Sequence, residues 1–166
     1  MKRLTLLTML VAMMVALAAG AAWAATIDCR TDDRVKCTGT FGNDLMIGSA
    51  ERDEMNGRLG SDEIFGRAGN DDMMGGDGAD DMNGQGGADT MQGGPEEDIL
   101  DGRQGNDAIN AASDRDSDGV TCGRGEADSA RVTPVDFIDG ERVGHTPELV
   151  LQGAGGCETV HLVIFQ

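Results

Sequence analysis

The sequence predicts an all-β chain wound as a solenoid, and three regularities predict it. Eight consecutive nine-residue units run unbroken from Gly39 to Asn110, opening at Gly39, Gly48, Gly57, Gly66, Gly75, Gly84, Gly93 and Gly102. The sixth position is always Asp: Asp44, Asp53, Asp62, Asp71, Asp80, Asp89, Asp98 and Asp107. The eighth is always apolar: Met46, Met55, Ile64, Met73, Met82, Met91, Leu100 and Ile109. A fixed glycine, carboxylate and hydrophobe at constant period describe a backbone that repeats itself in space.

Within a unit, positions 1 to 6 read as a turn and positions 7 to 9 as a short strand. Glycine at positions 1 and 4 supplies backbone conformations that other residues resist. In the strand, neighbouring side chains alternate faces, so the eighth residue points inward while the seventh and ninth point outward. Two units make one coil, odd and even units build opposite sheets, and four coils result. Stacked coils lie about 4.8 Å apart. Each edge therefore carries a ladder of carboxylates, Asp44, Asp62, Asp80 and Asp98 on one side and Asp53, Asp71, Asp89 and Asp107 on the other. Bare carboxylates at that spacing repel by about 1 kcal/mol per neighbouring pair even at water-like dielectric. A single inner layer of Met, Ile and Leu does not readily offset this, whereas a hard divalent cation between turns removes it. Calcium suits best, because it accepts six to eight oxygen ligands, carbonyls included, in flexible geometry.

The 72 residues of this stretch resemble the haemolysin-type (RTX) calcium-binding β-roll. The resemblance implies a right-handed parallel β-roll of about four coils, with Ca2+ between turns of adjacent coils and up to about six ions in all. It assigns the ligand roles to Asp44, Asp53, Asp62, Asp71, Asp80, Asp89, Asp98 and Asp107, with loop carbonyls such as those of Gly57, Gly66, Gly75 and Gly84. The chain departs from the repeat in two ways. Position 2 is Gly only at Gly76 and Gly94, and position 4 is Glu at Glu51 and Glu96. Glu51 falls in the first turn of the even edge and Glu96 in the last turn of the odd edge, both terminal turns of the stack, so the central sites are expected to bind more tightly than these two. Asp71→Ala should then cost more calcium affinity than Asp98→Ala in a titration of each variant; equal losses would count against it.

Residues 1–24 read as a secretory signal peptide. Lys2 and Arg3 precede an apolar run from Leu4 to Leu17, and Ala22-Trp23-Ala24 gives the small-x-small pattern before Ala25. The run is short for a membrane anchor, and no later stretch is long enough to span a bilayer. All 30 acidic residues lie beyond it, against 13 basic residues less the two in the leader, so the mature chain carries a net −19. Such a charge excludes nucleic acid as a partner. It fits either a disordered acidic chain or one whose acids are neutralised by cations, and the fixed period of the acids favours cations.

The flanks read as caps: residues 25–38 on the N-terminal side and 111–166 on the C-terminal side of the 39–110 roll. Four cysteines in an exported chain suggest two disulfides, with three pairings open. Proximity favours Cys29–Cys37 and leaves Cys122–Cys157, while a zinc site lacks the short paired C-x-x-C knuckles. Leu45, Ile47 and Phe65 should point outward near the N-terminal end, where a cap could cover them. Asp114, Asp116 and Asp118, followed by Gly119, match the start of an EF-hand loop, but Gly125 stands where the bidentate Glu belongs. Gly123 opens a degenerate unit with Asp128 at its sixth position. Cys122-Gly123 and Cys157-Glu158 resemble the tail of small secreted bacterial proteins with these repeats. Apolar runs at Leu149–Leu151 and Val160–Phe165 are expected to close the open end of the solenoid.

A catalytic site is not expected. His145 and His161 sit in no nucleophile motif, an Asp dictated by a repeat reads as a ligand, and aromatic residues for a sugar cleft are lacking. Mixed outward positions (Glu63, Phe65, Asp72, Met74, Asp81 and Asn83) also set aside ice binding. The function expected is a secreted, extracellular calcium-binding protein whose roll folds when it meets Ca2+. The alternative is a calcium-stiffened structural or adhesive component of a cell surface or matrix, with self-association.

Overall fold

The computed structural model describes residues 24–29, 36–112, 116–125, 127–132, 137–138, 141–142 and 156–163. The signal peptide, Asp114 and the run at 149–151 lie outside them, except that residue 24 is described. Fifteen strands are formed among the described residues: β1 (Thr26–Asp28), β2 (Lys36–Thr38), β3 (Leu45–Ile47), β4 (Glu54–Leu59), β5 (Glu63–Ala68), β6 (Asp72–Asp77), β7 (Asp81–Gly86), β8 (Thr90–Gln92), β9 (Ile99–Asp101), β10 (Ala108–Asn110), β11 (Gly119–Thr121), β12 (Ser129–Val132), β13 (Phe137–Ile138), β14 (Glu141–Arg142) and β15 (Thr159–Leu162). Odd-numbered strands from β1 to β13 form one sheet, closed by β14, and β2 to β12 with β15 form the other. Every pairing is parallel except the terminal β13–β14 hairpin. The molecule is a parallel β-solenoid.

The nine-residue period explains the register. Two units bring the chain back to the same sheet, so Met46 pairs with Ile64, Ile64 with Met82, Met55 with Met73 and Met73 with Met91. The eighth-position side chains thus stack in two columns, one per sheet, each no more than 3% exposed. Because the two sheets face each other across one layer, these columns are the core, and Met is well suited to it: an unbranched, polarizable chain fills irregular gaps. Leu45, Ile47 and Phe65 are half-buried on the outer face.

Strands β4 to β7 run six residues rather than the three that the repeat suggests. Their pairing skips position 1 and resumes at position 2: Asn56 pairs with Met74, then Arg58 with Gly76. Position 2 adopts a left-handed conformation even where it is not glycine, with φ of 87° at Arg58, 80° at Arg67 and 70° at Gln85. As in a β-bulge, such a residue kinks the strand and lets the ladder continue beyond it. The skipped position 1 is where the carbonyls of the metal centre arise.

The flanks carry the winding further. β1 and β2 each add a rung below the repeats, and the Cys29–Cys37 disulfide ties them with a Cα–Cα distance of 5.7 Å. Above, β11 and β13 extend one sheet and β12 and β15 the other, so the described residues beyond 110 supply further rungs. The second disulfide, Cys122–Cys157, joins the start of the turn before β12 to the residue just ahead of Glu158 and β15. Among the described residues no helix is long and apolar enough to cross a membrane.

Candidate metal centre

Each sixth-position Asp sits at the mouth of a strand, and its backbone is fixed by the ladder: the N–H of Glu63 donates to Asp44 O, that of Asp72 to Asp53 O, and that of Asp81 to Asp62 O. The side chain then reaches toward the preceding coil. Asp62 Oδ1 accepts the N–H of Asp44 at 2.7 Å, Asp80 that of Asp62 at 2.7 Å and Asp98 that of Asp80 at 2.9 Å. On the other edge Asp71, Asp89 and Asp107 do the same for Asp53, Asp71 and Asp89, at 2.8 to 2.9 Å. All eight of the repeat aspartates are buried, between 1% and 5% exposed.

One oxygen of each carboxylate is thereby used, and the other decides the chemistry. Oδ2 of Asp62, Asp71, Asp80, Asp89, Asp107 and Asp128 is buried and accepts no hydrogen bond. A buried carboxylate oxygen without a donor is costly, so such atoms call for a cation. The position-1 glycine leaves room beside it. A Cβ on Gly57 would lie 2.1 Å from Asp62 Oδ2 and 2.6 Å from the Gly75 carbonyl oxygen, one coil on. The same pair of oxygens faces Gly66 (Asp71 and Gly84), Gly75 (Asp80 and Gly93) and Gly84 (Asp89 and Gly102). Each of these four gaps thus offers a carboxylate oxygen and a main-chain carbonyl converging on one point, all hard oxygen donors. Among the described residues no three His, Cys, Asp or Glu side chains gather at one place, so carbonyls must complete any coordination. This donor set fits Ca2+ and not the thiolate- or imidazole-seeking metals.

Burial dominates the electrostatics. It lifts the Asp71 and Asp80 carboxyls to about 7 and Asp107 to about 6, and raises Asp62 and Asp89 as well. The N–H bond each accepts works the other way. Neighbouring carboxylates add to the rise: Asp89 and Asp53 on Asp71, Asp62 and Glu96 on Asp80, Asp89 and Asp128 on Asp107.

The first two turns are built differently. Thr40 and Ser49 occupy position 2, and their N–H groups donate to Asp44 Oδ2 and Asp53 Oδ2, both at 2.6 Å. Their hydroxyls accept the N–H of Gly42 (3.2 Å) and Glu51 (3.1 Å), closing each turn on itself. Asp44 Oδ1 accepts further bonds from Ala25 N and Thr40 Oγ1. These two carboxylates are satisfied by protein. The turn containing Glu51 is the Ser49 turn; Glu96 instead keeps the left-handed position-4 backbone (φ 74°), and its Oε2 accepts the Gly78 N–H at 2.7 Å.

Beyond the repeats, both ladders continue. Asp118 Oδ1 accepts the Asp98 N–H at 2.9 Å and Asp128 Oδ1 the Asp107 N–H at 2.8 Å, across 20 and 21 residues rather than 18. Glu96 therefore does not lie in the last turn of its edge. Of the 114–119 segment, Asp118 is a rung of the ladder and Asp116 is exposed, while Asp114 lies outside the described residues. The degenerate unit also starts one residue earlier than expected. Gly123 packs against Arg103 at position 2 and Gly102 faces the Cys122 carbonyl, so Cys122 takes position 1 and an extra residue precedes Asp128. The signal for the self-closed turns is the hydroxyl residue at position 2; for the continued ladders it is an Asp two places before an apolar residue, displaced by insertions.

Filling the room at position 1 should weaken the site it serves. A Cβ on Gly84 would lie 2.4 Å from Asp89 Oδ2, whereas one on Gly86 would meet nothing nearer than 3.7 Å. Overpacking of this kind costs about 1–3 kcal/mol. Gly84→Ala should therefore reduce calcium affinity at one site by roughly tenfold or more, at about 1.4 kcal/mol per tenfold. Gly86→Ala should leave it unchanged in the same calorimetric titration.

Comparison with protein families agrees with the geometry. Residues 38–73, 47–82, 74–109 and 83–117 match, as four overlapping copies, the model of the RTX calcium-binding nonapeptide repeat. No curated protein and no solved structure matches the chain.

Proposed function

From the premise that residues 38–117 belong to the RTX calcium-binding nonapeptide-repeat family, we propose that the protein is an exported calcium-binding module whose roll forms when Ca2+ enters the gaps between its coils. One observation carries the reading: the buried Oδ2 atoms of Asp62, Asp71, Asp80 and Asp89 accept no hydrogen bond, and each lies beside a carbonyl oxygen from the next coil. A bound cation supplies there the positive charge that the chain lacks. The protein's own part is to hold the donors: Oδ1 locks each carboxylate to the coil before it, glycine keeps the space open, and the Met columns bring successive turns into register. The complete cradles within the repeats, those with an unbonded Oδ2 and a facing repeat carbonyl, use Asp62, Asp71, Asp80 and Asp89.

The coupling to folding follows from where the ligands come from. A carboxylate and a carbonyl from successive coils, such as Asp62 Oδ2 and the Gly75 oxygen, meet only in the wound state, so binding free energy becomes folding free energy. Extracellular calcium modules bind with dissociation constants of about 10⁻⁴ to 10⁻³ M, which keeps such a chain unwound before export and wound after it. The role is binding rather than catalysis, because the fixed carboxylates are consumed by the ladder. Equilibrium dialysis with ion counting tests the reading directly: several calcium ions per chain are expected, and none would refute it.

A further inference from the structure

We propose that one calcium site lies beyond the last nonapeptide, held by Asp107 and the main-chain carbonyl of Cys122, and that the Cys122–Cys157 disulfide keeps that carbonyl in place. The inference rests on the calcium reading above and assigns a site that the repeats themselves do not define. A Cβ on Gly102 would lie 2.5 Å from Asp107 Oδ2 and 2.6 Å from Cys122 O. These values fall among those at Gly57 (2.1 and 2.6 Å) and Gly66 (2.6 and 2.9 Å), inside the repeats. Asp107 is 1% exposed and its Oδ2 accepts no hydrogen bond. The gap is thus equivalent to its neighbours, although a cysteine stands where a nonapeptide has glycine.

What holds the Cys122 carbonyl differs from every other turn. In the repeats a ladder of identical units fixes position 1 from both sides. Here the unit after Gly102 carries an insertion, and the compensation comes from the tail. Cys122 is fully buried and bonded to Cys157, itself 1% exposed. The next two residues, Glu158 and Thr159, both donate their N–H to Asp128 O at 3.0 Å. β15 then pairs with β12 from Ser129 to Val132. Asp128 in turn accepts the Asp107 N–H, so the disulfide, the last strand and the ligand carboxylate form one connected unit.

The test uses the full exported chain, with calcium as the probe, ion counting after equilibrium dialysis and circular dichroism in saturating calcium. The double variant Cys122→Ser, Cys157→Ser should bind one site at least tenfold more weakly, while Cys29→Ser, Cys37→Ser should bind as the parent does. Asp107→Asn, with both disulfides intact, should lose one ion, and adding it to the Cys122/Cys157 variant should remove nothing further at the calcium concentration where that site is already empty. An unchanged ion count in Asp107→Asn, or unchanged affinities without the Cys122–Cys157 bond, would overturn the proposal. A parent protein that binds no calcium would instead overturn the reading beneath it.

Discussion

Dialysis of the purified protein against EGTA should abolish its β-sheet circular dichroism, and return of about 1 mM calcium, the upper range for extracellular modules, should restore it. The expectation follows from opposing terms. In the wound state the repeat carboxylates are removed from water and aligned in two ladders, and Oδ2 of Asp62, Asp71, Asp80, Asp89 and Asp107 accepts no hydrogen bond. Neighbouring charges alone repel by about 1 kcal/mol per pair at water-like dielectric, and more when water is excluded. Against this stands a core one side chain thick. Each buried Met, Ile or Leu contributes about 1.5–3 kcal/mol, and the ordering of each residue costs about 1–2 kcal/mol in backbone entropy. With one core residue in nine, burial does not win alone. A melting temperature and β spectrum that survive thorough chelation would show that the carboxylates are accommodated some other way.

Protons should do part of the work of the metal. In EGTA the chain is expected to gain β signal as pH is lowered from 8 to about 5. The sign is set by the raised carboxyls. Asp71 and Asp80 at about 7 and Asp107 at about 6 hold their protons more tightly in the wound state than at the ordinary 3.8. Their contribution is therefore fully present below the unfolded value and disappears as pH rises through the range from about 6 to 7. In calcium the same groups reverse the trend: protonation competes with the ion, so apparent affinity falls over that interval. Calcium-free spectra that are identical at pH 8 and pH 5, or affinity that rises on acidification, would contradict the burial that the structure shows.

Much of this architecture was legible before the fold was known. Constant spacing of Gly, Asp and an apolar residue gives the two columns of the core and the two carboxylate ladders directly, because pairing 18 residues apart is the only register that stacks Met55 on Met73 and Met73 on Met91. The disulfides Cys29–Cys37 and Cys122–Cys157 also follow from spacing. Three things were hidden. Insertions of two residues and one residue before Asp118 and Asp128 defeat counting, and only the pairing of β11 with β9 and β12 with β10 brings those residues back to their rungs. The role of the Cys122 carbonyl depends on backbone direction, which a residue type does not encode. Thr40 and Ser49 look like ordinary departures from glycine until their N–H groups are seen to fill the second acceptor of Asp44 and Asp53.

Those two hydroxyl turns give the molecule a direction. They lie at the amino end, next to the Cys29–Cys37 staple, and their acids are already quenched by the polypeptide. A thread that leaves a narrow exit with this end in front can set its opening loops unaided, and every later loop then finds a finished ledge to settle on. Growth from one seeded tip avoids the mismatched starts that identical modules otherwise invite.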